Sequence, residues 1–392
     1  MSEPARLRSA HDSATGELRV RVFRGRGVLD EIEHVYRYLW SRTAVLPPTL
    51  DFDWVRVWWD LHQADGRLFI VLLQRAGRPL ALAPLYIRRR EASTRGLLRT
   101  VCFLGTGEND ADEVFGTNTG WLGAAEYHGE LNVAVADALR RHRGAWDRLW
   151  FSNVGPNTGL VEQLPRALGA TLLTAERRNT CNWVIDLPES RDAYVAGLAK
   201  RSRNNMRRVL RDADAAGLQY EWITSAEPAL RAFEQLAELH SRQWQARGKP
   251  GACASDTFLA FHRQLLPRYA RQGRLWLLRI SCQGRPVVLS YDIAAGRRVY
   301  GYITGADPEF SRLSGGKLSL LKVMERAIAL GFESYDLLSG NYGYKHRLTD
   351  RQMPIATLEA YGRTPAARAW LALRGLSRKV RGGVDPRAAE GS

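Results

Sequence analysis

Cysteine is scarce in this chain, and the four that occur, Cys102, Cys181, Cys253 and Cys282, stand far apart. None forms a CxxC pair or a zinc-type spacing with a histidine, so the sequence predicts free thiols and no structural metal. Long apolar runs are also missing. No stretch approaches the roughly 18 uninterrupted apolar residues of a membrane span, and MSEPARLRSAHDSATGELRV lacks the apolar centre of a signal peptide. The expectation is a cytoplasmic protein. No serine sits in a GxSxG elbow, which leaves a Ser-His-Asp triad without an argument. Acidic residues are outnumbered: 57 Lys and Arg against 41 Asp and Glu give a formal net charge of +16. That balance favours anionic partners such as nucleotides, phosphorylated cofactors, acidic glycans, RNA or membrane surfaces, although arginines spread over a solvated face give the same total. With 45% hydrophobic residues in 392, the chain has enough apolar material for two domains, each with its own core.

What the chain does contain is a long-range recurrence. DGRLFIVLLQRAGRP, from Asp65, returns with six identities as QGRLWLLRISCQGRP, from Gln272, at an offset of 207 residues. Solenoids repeat every 20 to 50 residues, so one recurrence at this distance indicates a duplicated domain. In the second copy, LQYEWIT reads as a strand, apolar residues at three-to-four spacing predict helices over 227–247 and 256–271, and RLWLLRI, RPVVLSYDIA and RRVYGYIT follow as an antiparallel meander. A loop, GADPEFSRLSGG, then leads to a helix over 315–330 and the strand SYDLL. The first copy repeats the order: strand ELRVRVF, helices over 30–42 and 51–63, strands RLFIVLL, RPLALAPLYI and RTVCFLG, a helix over 126–143, and strand DRLWFS. The predicted class is α+β, with each copy a mixed, mostly antiparallel sheet flanked by helices. The expected division is a tail at 1–16, a first domain at 17–180, a second at 181–364 and a basic tail at 365–392.

Four segments of the second copy, RSRNNMRRVLRDADAAG, LAELHSRQW followed by RG, SRLSGGKL and YDLLSGNYGYK, together with this element order, resemble the GNAT acyltransferases. The tandem form resembles the double-GNAT proteins, among them the Fem-type aminoacyltransferases and the CelD/BcsL-like acetyltransferases. The resemblance is strongest over 199–345; the first copy shares the order of elements with little of the motif content. It implies two tandem GNAT-like domains, acetyl-coenzyme A or another acyl-coenzyme A as co-substrate, and direct transfer to an amine or hydroxyl of a sugar, polysaccharide precursor or other polar acceptor, expected to be anionic. The Fem-type alternative implies aminoacyl-tRNA as donor, and a third reading is a non-catalytic module that binds an anionic polymer.

Several residues carry these expectations. Arg312, Ser314, Gly315, Gly316 and Lys317 lie at a strand-to-helix junction, where backbone N–H groups and the helix dipole favour a phosphate. GNAT enzymes hold the coenzyme A pyrophosphate there; Arg312 and Gly315 fit their pattern, while Lys317 replaces its last small residue. The matching first-copy stretch, 114–120, has glycines and no basic residue. Arg203, Arg207 and Arg211 share one face of a predicted helix, with Arg208 beside it, and together with Trp244 they are candidates for holding an anionic acceptor. After the strand that ends at about Leu338, Tyr344 is a candidate acid for the leaving thiolate and Lys345 a candidate for stabilising negative charge. Asp292, Asp336 and His240 are candidate bases, Asp292 ranked first. The tail from Pro365 has the composition of a basic amphipathic helix, fitted either to pack on its own domain or to touch an anionic membrane.

Overall fold

The computed structural model describes residues 17–25, 27–88, 98–108, 112–340 and 343–380. The expected tail 1–16, positions 381–392 of the basic tail, and Asn341 and Tyr342 of the terminal loop lie outside the described residues. In chain order the first half runs β1 (Leu18–Phe23), α1 (Val28–Ser41), α2 (Phe52–His62), β2 (Gly66–Leu68), β3 (Ile70–Arg75), β4 (Arg78–Ala83), β5 (Leu85–Arg88), β6 (Thr100–Phe103), β7 (Leu122–Gly123), α3 (His128–Arg141), β8 (Arg148–Val154), α4 (Leu160–Leu168) and β9 (Leu172–Asp186). The second half runs α5 (Arg191–Gly197), α6 (Lys200–Ala215), β10 (Gln219–Ile223), α7 (Ala226–Gln245), α8 (Asp256–Arg271), β11 (Leu275–Cys282), β12 (Arg285–Ala295), β13 (Arg298–Ala306), α9 (Gly315–Ala329), β14 (Ser334–Ser339), β15 (Gln352–Gly362) and α10 (Pro365–Val380).

The duplication is visible in the backbone. β4 and β5 together span 78–88, which the 207-residue offset lays onto β12. The first copy breaks that strand at Pro84, whose missing N–H interrupts the ladder. Each of the strands predicted at RLFIVLL and RPLALAPLYI is therefore divided between two sheets, β3 and β4 in one and β2 and β5 in the other. The second copy keeps both strands whole.

Among the described residues the strands form a four-stranded sheet, β1-β3-β4-β7, and an eleven-stranded sheet, β10-β11-β12-β13-β14-β9-β15-β8-β6-β5-β2. The order at its centre shows a strand exchange. β9, from the first half, lies beside β14 of the second, and β15, from the second half, lies beside β8 of the first. β9 and β15 pair antiparallel along Leu172–Trp183. Position 180/181, the expected domain boundary, falls inside β9. The cores are shared as well: Trp54 of α2 meets Phe261 of α8 with ring centroids 4.8 Å apart. Asp53 of the first half accepts hydrogen bonds from Arg268 and Gln272 of the second.

One feature of the second copy positions the site. β13 runs parallel to β14 only over Arg298–Tyr300, opposite Ser334–Asp336. β13 then continues to Ala306, while β14 turns away at Leu338, which has φ 62°. The two strands form a fork. Helices α6 and α9 cover one face of the sheet here, burying Val299 and Tyr335. The first half and α7 and α8 cover the other, burying Tyr300 and Tyr291. In the first copy the matching gap between β6 and β8 is filled by chain, for Thr119 bridges to Val154 and the Asn153 amide donates to Gly116 O at 2.7 Å.

Helix α10 packs on its own body through Ala367, Trp370 and Leu371, next to Tyr361 and Leu98. Arg374 donates to Tyr361 Oη at 3.1 Å. Among the described residues no helix is long and apolar enough to cross a membrane.

Candidate functional site

A cavity of about 570 Å³ opens on the α6/α9 face. Its walls are Arg201, Asn204, Asn205 and Arg208 of α6, Lys317 of α9, and Tyr344 and Arg347 of the loop after β14, with Met206 and Leu348 supplying apolar surface. The α6 residues fall at spacings of three and four, so they form one helix face. Lys317 Nζ donates to Asn205 Oδ1 at 2.6 Å, tying the two helices together. Burial, followed by the neighbouring Arg208 and Arg347 charges, pushes the Lys317 ammonium below its ordinary pKa. Four cations around one opening on an apolar floor suit a ligand with phosphate groups at one end and a less polar body.

The two glycines at the head of α9 differ in role. A Cβ on Gly315 would lie 2.6 Å from Val288 Cγ2 and 3.0 Å from Ala306 Cβ, so glycine there lets the helix start sit directly on β12 and β13. A Cβ on Gly316 would meet nothing within 4 Å. First-turn N–H groups have no carbonyl partner within their own helix, so the Gly316 N–H depends on a partner from outside it. Ser314 occupies the cap position in a left-handed conformation (φ 50°, ψ 54°) and makes no side-chain capping bond. Arg312, in the turn before it, is exposed and is not among the residues that line the cavity.

The arginines of α6 divide differently from the expected grouping. Arg203 donates to Ala196 O and Leu198 O at 3.0 and 3.3 Å and so closes the end of α5. Arg207 and Arg211 are exposed and off the cavity face, while Arg208 lines the cavity and also pairs with Asp212 at 3.3 Å. Arg203, Arg207 and Arg211 therefore lie off the face of α6 that lines the cavity, which Arg201, Asn204, Asn205 and Arg208 supply. Trp244 lies on α7, on the other side of the sheet, with its ring 5.8 Å from that of His240. His240 packs against Gly305 near the end of β13, and burial, then Arg247, lowers its pKa to about 4.

The remaining candidates gather at the fork. Asp292 is fully buried on the α9 face, accepting from Ser290 Oγ and from Tyr335 Oη, both at 2.6 Å. Burial raises its pKa to about 6, against the opposing pull of those two donors. Tyr335 lies over Gly301, where a Cβ would come within 2.3 Å of the phenol oxygen. Asp336, the next residue, points to the opposite face; it accepts from Leu338 N at 2.8 Å and faces Arg298 at 3.6 Å. Tyr344 is 50% exposed at the cavity mouth. Lys345 is 3% exposed, with its ammonium bonded to Ser339 O at 2.7 Å and Leu338 O at 3.3 Å. Burial brings its pKa to about 8. Arg201, Arg347 and Tyr335 were not evident as site residues from sequence. Arg201 sits seven before Arg208, the spacing of a shared helix face, whereas Arg347 and Tyr335 carry no local signal.

Residues 200–346 match the family described as an acetyltransferase (GNAT) domain. In sequence, no curated protein matches the chain. Among solved structures, FemX superposes with a TM-score of 0.59 at 12% identity, covering 90% of this chain and 99% of its own. The C-terminal domain of a candidate lysylphosphatidylglycerol synthetase from Agrobacterium fabrum gives 0.53 at 12% identity, covering 91% and 98%. L-PGS from Bacillus licheniformis gives 0.50 at 8% identity, covering 90% and 96%. At such identities the likeness is one of fold. Because it spans both halves, the shared architecture is the tandem one, with the GNAT domain as its second half.

Proposed function

We propose that this protein is an acyl-coenzyme A dependent acyltransferase of the CelD/BcsL-like kind. It moves an acetyl or other acyl group directly to an amine or hydroxyl of a sugar or other polar acceptor. The observation that carries this reading is the basic cavity at the head of α9, opening beside the fork between β13 and β14. Residues present there fit the donor: Gly316 N–H, Lys317, Arg201, Arg208 and Arg347 suit its phosphates, and the open edge of β13 suits an extended, amide-bearing arm.

Direct transfer requires alignment, a deprotonated nucleophile and a proton for the departing thiolate. Tyr344, at the mouth of the cavity, is placed to protonate the thiolate. Asp292, with a pKa of about 6, is ionised at neutral pH and takes up the acceptor's proton through Tyr335, whose phenol reaches the fork. Lys345 holds the end of β14 in place and adds positive charge beside the reacting carbonyl. The second half supplies the donor site, and the first half supports the acceptor.

Calorimetric titration with acetyl-coenzyme A tests the assignment. Removing one charge-assisted phosphate contact costs about 1.5–3 kcal/mol, so Lys317→Ala and Arg208→Ala should each weaken binding roughly 10- to 100-fold. No binding by the parent protein, or equal binding by both variants, overturns the proposal.

A further inference from the structure

A second cavity, of about 180 Å³, lies mostly in the first half and shares no described residue with the one at the head of α9. Trp58 and Leu61 of α2 and Tyr86 of β5 supply its apolar surface, and Thr257, in the first turn of α8, joins it from the second half. These walls are held in place by their neighbours. The Trp58 ring stacks on His62 with centroids 4.7 Å apart and meets Tyr86 edge-on at 5.1 Å. Gly107 brings its loop directly onto β5 and β6, since a Cβ there would lie 2.7 Å from Tyr86 Oη and 2.9 Å from Cys102 Sγ. Ser255 Oγ, which caps α8, donates to Asp112 Oδ1 at 2.6 Å and so ties the two halves together beside the cavity.

The polar groups of this cavity carry both signs. Arg88 is a cation; its Nη1 donates to Gly107 O, while its buried Nε has no hydrogen-bond partner. Asp65, Glu108 and Asp112 are the carboxylates. Asp65 is held beside Arg88, because Gly66 stands opposite Arg88 in the β2–β5 ladder. Glu108 accepts from Val114 N at 2.8 Å and from Trp58 Nε1 at 3.2 Å, yet burial still raises its pKa to about 7. A carboxyl whose ionised form is held back by burial gains when a cation joins it. One guanidinium and three carboxylates along an aromatic wall therefore match a molecule with one carboxylate, one ammonium and a short apolar part. Volume limits that part: a cavity of about 150 Å³ takes up benzene, so this one suits roughly six to eight heavy atoms.

We infer that this cavity binds a small zwitterionic α-amino acid, with its carboxylate on Arg88, its ammonium between Glu108 and Asp112, and its side chain against Trp58 and Tyr86. The inference goes beyond acyl transfer and does not depend on the donor assignment, since the two cavities have separate walls.

The test is calorimetry on the full chain at neutral pH, with L-serine and L-valine as probes. Propionate and ethylamine carry one charge each, and L-tryptophan is too large for the cavity. Both probes should bind saturably, and each single-charge compound at least about tenfold more weakly, the worth of one charge-assisted hydrogen bond. L-Tryptophan should not compete with L-serine. Arg88→Met and Asp112→Asn should each weaken L-serine binding by a similar factor and leave acetyl-coenzyme A binding unchanged. Asparagine keeps an acceptor for Ser255 Oγ, so the second variant preserves the junction with α8 even where loss of Arg88 disturbs the loop at Gly107. No saturable heat with either probe, equal binding of propionate or ethylamine, or L-serine binding unaltered by both variants would overturn the inference. A parent protein that binds L-serine but not acetyl-coenzyme A refutes the donor reading and leaves this site standing.

Discussion

The adjacent glycines that open α9 should respond to the same substitution in opposite directions. A methyl group on Gly315 meets Val288 Cγ2 at 2.6 Å and Ala306 Cβ at 3.0 Å, both closer than ordinary carbon contact, so the helix start must move off the sheet. Overpacking of this kind costs about 1–3 kcal/mol, and the helix preference of Ala over Gly returns at most about 1 kcal/mol. The net expectation for Gly315→Ala is a loss of about 1–2 kcal/mol. Gly316→Ala meets no atom within 4 Å and should gain a few tenths up to about 1 kcal/mol. Yet its methyl group stands beside the N–H assigned to a donor phosphate, so binding of acetyl-coenzyme A should fall. Urea unfolding followed by circular dichroism gives the stability, and calorimetry gives the affinity. A Gly315→Ala protein as stable as the parent would show that the helix does not rest on β12 and β13 as described. A Gly316→Ala protein with unaltered donor affinity would remove that backbone group from the site.

Two further outcomes follow from other parts of the fold. Asp292 has a folded pKa of about 6 and an ordinary carboxylate value when unfolded. Between those values the folded state holds the extra proton, so stability should decline as pH rises from about 4 to 6, by about 2–3 kcal/mol, and level off above. Asp292→Asn should flatten that limb in urea titrations at stepped pH, and an unchanged slope refutes burial as the cause. Separately expressed halves, cut in the 187–190 connection, should each fail to fold alone because each lacks its neighbour's exchanged strand, and should form a 1:1 complex when coexpressed. Two soluble, folded monomers in size-exclusion chromatography would contradict the exchange.

Local signals carried much of the architecture. The helix predicted over 256–271 coincides with α8, and the repeated GRL and GRP blocks place β11 and β12 correctly, because turn chemistry and periodicity act within a few residues. The exchange was hidden because pairing β9 with β15 joins residues far apart in sequence. The stretch 174–180 of β9, TAERRNT, is exposed and polar and has no apolar alternation to announce a strand. The junction 311–317 was placed by its glycines and charge, but its separate parts were not distinguishable in one dimension: Gly315 packs, Gly316 faces open space, and Arg312 stands outside the cavity.

The shared β9–β15 pairing also limits how the molecule can move. Two tandem domains joined by a linker can admit substrate by swinging apart, but here a ladder running along Leu172–Trp183 crosses the boundary, and Trp54 and Phe261 interlock beneath it. Opening along that seam would break main-chain hydrogen bonds and expose a common core. Ligand entry is therefore left to smaller parts at the rim, such as α6, held to α9 by Lys317 and Asn205, and the 343–348 loop, anchored by Lys345. Slow exchange of β9 and β15 amides alongside rapid exchange in α6 and the 343–348 loop would be the signature of a rigid frame with a mobile doorway.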